Sequence, residues 1–287
     1  MTPLRYALFL ACAATLRAQP PAAKPSDAAL AHAKALLATT PLVDGHNDLP
    51  WAIRESKTAP RDIDAYDLRK TTPHQTDLAR MKAGQLGGQF WSVYIPGEVK
   101  DSGYARIQLE QIDIARRVIA KYPERLVAAA TAADMRTAFK AGKVGSMLGM
   151  EGGHAIENSL GALRAYYGMG VRYMTLTHNV TLDWADAALD APTHGGLTNF
   201  GKEVVREMNR LGMMVDLSHP SKGANLEAIR LSKGPVIASH SAVRALADHS
   251  RNMDDEQLLA LKKSGGVIQV VGFASYLKVD SKERTEA

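Results

Sequence analysis

Several short apolar runs of this sequence are followed by side chains that can bind metal. His46 and Asp48 follow the first run, Glu151 the third, His219 the fifth and His240 the sixth. Imidazole nitrogens and carboxylate oxygens are the donors that proteins commonly offer to divalent transition-metal ions. Because residues two apart on an extended segment face the same side, His46 and Asp48 can bind one ion together.

Each of these residues has an ordinary alternative when it is taken alone. His46 could simply donate a hydrogen bond to Asp48, Glu151 could cap a helix, and His219 and His240 could be unremarkable polar residues. Three imidazoles and two carboxylates in one pocket favour a metal site instead, because polar groups left unpaired there would be costly. One catalytic zinc usually takes three protein ligands. Five ligands therefore suit two ions, roughly 3.5 to 4 Å apart, that share Glu151 and a hydroxide.

The elements that must position these residues alternate between strands and helices. Seven strand-like runs cover residues 41–46, 88–95, 144–150, 171–177, 213–217, 235–239 and 266–271. Helical segments separate most of them, with apolar stripes at 104–122 and 198–211. This alternation is typical of parallel strands with crossover helices.

The positions of the polar residues distinguish a barrel from an open sheet. A β/α barrel carries its active site at the carboxyl ends of many strands, where all five candidate ligands and His178 fall. An open doubly wound sheet concentrates its chemistry at one switch point and usually carries a Gly-rich phosphate loop, which this sequence lacks. The sequence therefore predicts an α/β fold of the (β/α)8 TIM-barrel type, with about seven of the eight strands present.

The N-terminal region differs from the rest of the chain. Residues 1–18 place Arg5 ahead of a short apolar stretch, which is typical of an export signal. We expect a periplasmic or secreted protein, with lipid anchoring at Cys12 as the alternative. Residues 19–40 are expected to form a linker and a helix capped by Ser26, and residues 41–287 a single hydrolase barrel domain.

Composition limits the classes of partner. The chain has 287 residues, a formal charge of +5 and one cysteine, so neither a nucleic-acid footprint nor a disulfide framework is predicted. No apolar run is long enough to span a bilayer. Self-association into a homodimer stays open.

Six segments resemble one family of proteins. VDGHNDLPW, MLGMEGGHAIENSLGALR, TLTHN followed by WADA, VDLSHPS, ASHSAVRAL and SRNMDD are similar, in order and separation, to motifs of the renal or membrane dipeptidases, which are two-zinc metallopeptidases. The resemblance runs from about residue 41 to residue 273. It implies hydrolysis of a dipeptide, including one with a C-terminal D-residue, by a metal-bridging hydroxide.

The resemblance also implies a role for each matching residue. His46 and Asp48 would bind one zinc, His219 and His240 the other, and Glu151 would bridge the two ions. His178 would contact the substrate and stabilise the oxyanion. Arg251 would hold the C-terminal carboxylate of the dipeptide, for which a guanidinium offers a planar pair of donors.

The sequence departs from the family after the seventh strand. Family members continue into an eighth strand that ends in a Gly-Ser-Asp-Phe-Asp-Gly-like motif, and no equivalent follows Phe273; Asp280 lies in a charged tail. We therefore expect a C-terminally truncated form. Two alternatives to the dipeptidase stay open: another two-metal amidohydrolase-type enzyme acting on lactams or N-acyl amino acids, and a non-catalytic metal-binding fragment.

The long loop after the fourth run holds three further polar or aromatic residues. Asp183, Trp184 and Asp186 could set substrate specificity there. They could equally hold the loop together around a docked indole.

Overall fold

The structure is a computed structural model that describes residues 26–99 and 103–277. The expected export signal at 1–18, Cys12, the linker before residue 26 and Asp280 lie outside the described residues. Within the described part of the chain, no helix is both long and apolar enough to cross a membrane.

Parallel strands form the centre of the molecule and helices cover them. The strands are β1 (Leu42–Asn47), β2 (Leu86–Tyr94), β3 (Leu126–Ala128), β4 (Val144–Glu151), β5 (Val171–Thr175), β6 (Met214–Asp216), β7 (Ile237–Ser241) and β8 (Val267–Val270). The helices are α1 (Asp27–Thr39), α2 (Leu49–Arg54), α3 (Leu78–Ala83), α4 (Tyr104–Lys121), α5 (Ala132–Lys140), α6 (Leu160–Gly168), α7 (Asn199–Leu211), α8 (Lys222–Leu231), α9 (Asp255–Lys263) and α10 (Ala274–Leu277). A short 3₁₀ turn at Gly153–Ile156 follows β4.

The strands curl into a nearly closed barrel. Their order is β1-β2-β4-β5-β6-β7-β8, and every pair along this path is parallel. The prediction of a TIM-type barrel with seven of its strands is confirmed by this path. Since β1 and β8 end it, they share no backbone ladder within the described residues, and the Gln269 side chain instead donates to the Val43 carbonyl at 2.9 Å.

The strand β3 was not predicted. It pairs with Val144–Ser146 of β4, whereas β5 pairs with the same strand only from Leu148 onward. Since β2 covers one edge of β4 along nearly its whole length, β3 and β5 share the other edge. β3 therefore extends the sheet beneath β5 without entering the barrel path.

The apolar core has two layers because successive strand residues point to opposite faces. Trp91 and Leu148 belong to the large cluster packed against the helices, while Phe90, Met147 and Tyr173 form a smaller cluster inside the barrel. Every residue of β4 is buried, as expected for a parallel strand covered on both faces. The predicted apolar stripe of α4 and most of that of α7 are also buried.

One glycine of β4 makes room for an aromatic ring. A Cβ on Gly149 would lie 2.0 Å from Cζ of Tyr173 on the neighbouring strand. Any larger residue there would push the Tyr173 ring out of its position inside the barrel. In that position the Tyr173 hydroxyl reaches Nδ1 of His46, at the carboxyl end of β1.

Candidate metal centre at the carboxyl ends of the strands

The five predicted ligands lie together at one rim of the barrel. His46 belongs to β1, Asp48 follows that strand, and Glu151 is the last residue of β4. His219 lies three residues beyond β6, and His240 lies near the end of β7. Parallel strands bring their carboxyl ends to the same rim, so residues 194 positions apart in sequence become neighbours.

Glu151 lies at the centre of this group, and its two oxygens face different partners. Oε2 lies 3.5 Å from Nε2 of His46. Oε1 lies 2.7 Å from Nε2 of His219 and 3.2 Å from Nε2 of His240. The carboxylate thus stands between an imidazole on one side and two imidazoles on the other.

Asp48 extends the side of the group that contains His46. Its Oδ1 lies 3.1 Å from Nε2 of His46, and 55% of its side chain is exposed. The imidazole of His46 is itself only 8% exposed. Asp48 therefore offers a carboxylate oxygen at the open side of an otherwise buried cluster.

The donor atoms suit divalent metal ions. The Nε2 atoms of His219 and His240 lie 3.0 Å apart. Two nitrogens bound to one tetrahedral ion at 2.0 to 2.1 Å stand roughly 3.4 Å apart, so these atoms need little movement to share an ion. Proximity defines two overlapping sets of donors: His46 with Glu151 and His240, and His178 with Glu151 and His219. Glu151 is common to both sets.

The electrostatic environment favours the metal-binding protonation states of Glu151 and His219, whereas at His46 the charges of Tyr173, Asp48 and Glu151 outweigh burial and raise the pKa of the ring well above its ordinary value. Burial alone would raise the pKa of Glu151, but the charges of His46 and His219 offset it and hold that pKa well below its ordinary value. Burial, reinforced by the positive charge of Arg251, holds the pKa of His219 well below its ordinary value. An ionised carboxylate beside a neutral imidazole is the form required of metal ligands.

His178 lies beside the cluster but is oriented differently. Its ring is 4.9 Å from that of Tyr94 and 4.6 Å from that of His219. The backbone N–H of Gly97 donates to its Nδ1 at 3.2 Å, and burial lowers the pKa of the ring. A neutral imidazole that accepts at Nδ1 carries its proton on Nε2. In this tautomer His178 is a hydrogen-bond donor at Nε2, close to Glu151 and His219.

Arg251 is near the cluster but covered. It is only 3% exposed, its Nη2 donates to the His240 carbonyl at 3.5 Å, and its guanidinium lies 5.1 Å from the Tyr276 ring centroid. Its buried Nε has no hydrogen-bond partner among the described residues. Tyr276 lines the cavity next to the site, whereas Arg251 does not.

A cavity of about 1130 Å³ opens onto the cluster. His46, Glu151 and Tyr94 belong to its wall, which continues past Val43 and Gln269 along the open seam between β1 and β8. A dipeptide is small compared with this space, since typical ligand pockets measure roughly 300 to 1,000 Å³.

Sequence reasoning missed two hydroxyl groups in contact with the predicted ligands. Tyr173 Oη lies 3.0 Å from Nδ1 of His46, and Ser239 Oγ lies 2.9 Å from Nδ1 of His240. Both hydroxyls come from apolar-looking strands and point to the barrel interior. The available signal was the presence of buried polar residues in such strands, since buried polar groups require partners.

The long loop after β5 is held together by its own residues. Trp184 is 1% exposed and packs edge-on against Phe200. The Asp186 carboxylate accepts from the backbone N–H groups of Thr193, His194 and Gly196. This geometry fits the structural alternative for Trp184 and Asp186, since both are turned into the protein.

Known proteins share both the sequence pattern and the fold. Residues 30–287 match the model of the family described as Membrane dipeptidase (Peptidase family M19). The chain is 44% identical to Dipeptidase 3 of Mus musculus over 243 residues, which cover 83% of this chain and 48% of the relative. The chain spans about half the length of the curated relatives it matches.

Two solved structures have a similar fold. A probable dipeptidase, PvdM, from Pseudomonas aeruginosa is 29% identical with a TM-score of 0.77, and the match covers 88% of this chain and 65% of that one. A structure described as dipeptidase AC, a metallo peptidase, is 26% identical with a TM-score of 0.75 and covers 83% of this chain and 75% of that one.

Proposed function

The chain belongs to the membrane dipeptidase family, and from this premise we propose that it is a zinc-dependent dipeptidase with two ions at the barrel rim. The observation that carries the proposal is the division of partners around Glu151, whose Oε2 faces His46 and whose Oε1 faces His219 and His240. A carboxylate between two donor groups has the geometry of a bridging ligand. His46 and Asp48 would hold one ion, and His219 and His240 the other.

The bound ions would supply the chemistry that side chains alone lack: they polarise the peptide carbonyl and lower the pKa of a shared water so that it attacks as hydroxide. The protein's own part is to orient the substrate and stabilise charge. His178, with its proton on Nε2, can donate to the oxygen that becomes negative in the transition state. Because Gly97 already fixes the ring, this donor is oriented before the substrate binds.

Arg251 would bind the carboxylate of the dipeptide. Two observations support this role: its Nε has no hydrogen-bond partner among the residues that the structure describes, and the guanidinium lies beside His240. In the present arrangement the Tyr276 ring lies against the guanidinium, so binding a carboxylate requires Tyr276 to move aside. On this basis Arg251→Lys should raise KM for dipeptides more than it lowers kcat, because it removes the two-donor fork while keeping the charge.

The function is tested by assaying the purified chain with and without zinc. We expect two zinc ions per chain and hydrolysis of L-Ala-D-Ala and L-Ala-L-Ala that a chelator abolishes. Glu151→Gln should lose at least one ion and at least a hundredfold in kcat/KM, since an amide cannot bridge two cations as a carboxylate does. Glu203→Gln, an exposed glutamate of α7, is the matched control.

Three results would contradict parts of this assignment. A zinc-loaded chain that hydrolyses neither dipeptide would overturn the dipeptidase activity and leave a metal-binding protein. Full activity with an N-acyl amino acid or a lactam and none with dipeptides would favour the amidohydrolase-type alternative. Glu151→Gln with both ions retained would remove the bridging role.

We also propose, from residues 1–18 alone, that the protein is exported. The test is expression of the chain with and without these residues, followed by fractionation. Export should depend on them, and an equal distribution of both forms would contradict the proposal.

A further inference from the structure

Two of the three imidazoles at the metal centre have a hydroxyl group behind them. Nδ1 of His46 lies 3.0 Å from Tyr173 Oη, and Nδ1 of His240 lies 2.9 Å from Ser239 Oγ. Tyr173 is 0% exposed and Ser239 is 2% exposed. Each contact is therefore shielded from water, and the direction of its proton is set by the protein alone.

The direction of the Tyr173 contact follows from its second partner. Tyr173 Oη also lies 2.9 Å from the carbonyl oxygen of Gly45, which can only accept. A phenol has one proton, so Tyr173 donates it to Gly45 and must accept from His46. His46 is then protonated at Nδ1, which leaves the lone pair of Nε2 for a metal ion.

The Ser239 contact has the same direction for a similar reason. Ser239 Oγ lies 2.6 Å from Oδ2 of Asp216, whose Oδ1 accepts from the backbone N–H groups of Ser218 and Ser239. The Thr175 hydroxyl also donates to Asp216 Oδ2. Surrounded by four donors, the Asp216 carboxylate acts as an acceptor, so Ser239 donates to it and accepts from Nδ1 of His240.

The third imidazole has no such contact. Nδ1 of His219 is buried and has no hydrogen-bond partner among the described residues. Its ring is positioned by neighbours, with the His178 ring 4.6 Å away and the His240 ring 5.0 Å away. The hydroxyl contacts are therefore divided, one on each side of Glu151.

We infer that Tyr173 and Ser239 are positioning residues, each of which fixes the imidazole tautomer of one ligand and so strengthens one of the two metal ions. The inference rests on the metal centre of the proposed function. Tyr173 would act on the ion held by His46 and Asp48. Ser239, with Asp216 behind it, would act on the ion held by His219 and His240. Groups that orient metal-binding imidazoles in this way typically change affinity by 10- to 100-fold.

The test measures each zinc dissociation constant by competition with a chromophoric chelator, using the full chain. Tyr173→Phe and Ser239→Ala should each weaken one ion by about 10- to 100-fold and leave the other within about threefold of the wild type. Two matched controls remove buried hydroxyls that lie away from the ligands. They are Tyr166→Phe and Ser146→Ala. In the wild type the Tyr166 hydroxyl donates to the Ala155 carbonyl and the Ser146 hydroxyl donates to the Val144 carbonyl.

A third variant tests the direction of the serine contact. In Asp216→Asn the amide can present a donor to Ser239, which would turn the serine proton toward His240 and favour protonation at Nε2. We therefore expect Asp216→Asn to weaken the same ion at least as much as Ser239→Ala does. In the zinc-loaded wild type, ¹⁵N chemical shifts of the imidazoles should report Nδ1–H for His46 and His240.

The outcomes separate this inference from the proposed function. If wild type binds no zinc, the metal centre itself is wrong and Tyr173 and Ser239 have no ion to act on, which overturns both proposals. If wild type binds two ions, and both variants bind two ions with the same affinities as wild type, only the positioning role is overturned. Equal weakening of both ions in each variant would also overturn it, because a merely structural defect has that effect.

Discussion

At the scale of single residues, burial has opposite consequences for the histidines around the site. His219 and His240 can give their lone pairs to a metal ion, but His154, three residues after Glu151 in the 3₁₀ turn that follows β4, is not placed to do so. Both of its ring nitrogens are buried without a hydrogen-bond partner in the described part of the chain. Burial, with a smaller contribution from the charge of His178, lowers the pKa of His154 to about 4.

This depressed pKa predicts a loss of stability in mild acid. Below about pH 6.5 the unfolded chain takes up a proton at His154 that the folded chain refuses until about pH 4, so the free energy of unfolding falls across that window. His154→Gln cannot take up this proton. We expect urea unfolding of the metal-free wild type to lose roughly 2 to 3 kcal/mol more than the variant between pH 7 and pH 4.5. Parallel pH profiles for the two proteins would contradict a neutral, unpartnered His154.

Some residues of the site could be predicted from the sequence and others could not. His46, Asp48, Glu151, His219 and His240 could be picked out because each follows an apolar run, and a barrel gathers such positions. Tyr173 and Ser239 could not, since a tyrosine or serine within a strand is compatible with ordinary packing. Their contacts depend on strand register, which no local pattern reveals.

At the scale of elements, the apolar run around a strand, rather than the strand's own length, decided which strands were predictable. β4 is eight residues long and fully buried, so it stands out as an unbroken apolar run. β3 and β6 have three residues each, but β6 lies within the apolar run 213–217, whereas β3 leads directly into the alanine-rich residues 128–133 and does not stand out from them. Likewise α2 and α3, six residues each, were not predicted, whereas α4 and α7 were predicted from their apolar stripes.

An ion pair between helices predicts how acid affects the outer layer. Glu207 of α7 accepts from Arg210 of the same helix at 2.7 and 2.8 Å, and it contacts Arg164 of α6 at 2.5 Å. Hydrogen bonding from Arg210 chiefly, and from Arg164, lowers the pKa of Glu207 to about 2. Because this folded-state pKa is depressed, the stabilisation is fully present above about pH 4.5 and is lost as pH falls toward 2.

We therefore expect Glu207→Gln to lower the free energy of unfolding by roughly 1 kcal/mol at pH 7, a modest value because both arginines are half exposed. The difference from wild type should shrink steadily below pH 4.5. Glu203→Gln in the same helix is the control, and its free energy of unfolding should stay close to that of wild type. A Glu207→Gln defect that persists unchanged at pH 3 would mean that packing, not charge, links α6 to α7.

At the scale of the whole molecule, the barrel is joined unevenly around its circumference. β2 and β4 share a seven-residue ladder, whereas β6 and β7 are linked through one pair, Asp216 and Ile237. Between β1 and β8 the Gln269 side chain spans the seam. The four Asp216 hydrogen bonds, which reach β5, β7 and the segment after β6, reinforce the part of the sheet where the ladder is shortest.

Metal ions at the rim would link β1, β4, β6 and β7 in addition to their backbone ladders, which predicts a large effect of metal on thermal stability. His46, Glu151 and His240 belong to three different strands, and His219 follows a fourth, so ions bound to them act across the whole barrel. A ligand that binds only the folded chain, at a free concentration 100 times its Kd, stabilises it by about 2.7 kcal/mol. For a chain of this size that corresponds to roughly 5 to 10 °C in Tm.

We expect removal of zinc by a chelator to lower the Tm of wild type by that amount, as measured by calorimetry at fixed protein concentration. Glu151→Gln should have a lower Tm before the chelator is added and respond less to it, because the proposed bridging carboxylate would be lost and metal binding would be weaker. Ser146→Ala should respond like wild type, since the Ser146 hydroxyl donates to the Val144 carbonyl, away from the rim. A wild-type Tm that does not change with zinc or chelator would show that the rim residues do not hold metal in the folded state, and the dipeptidase mechanism would lose its basis.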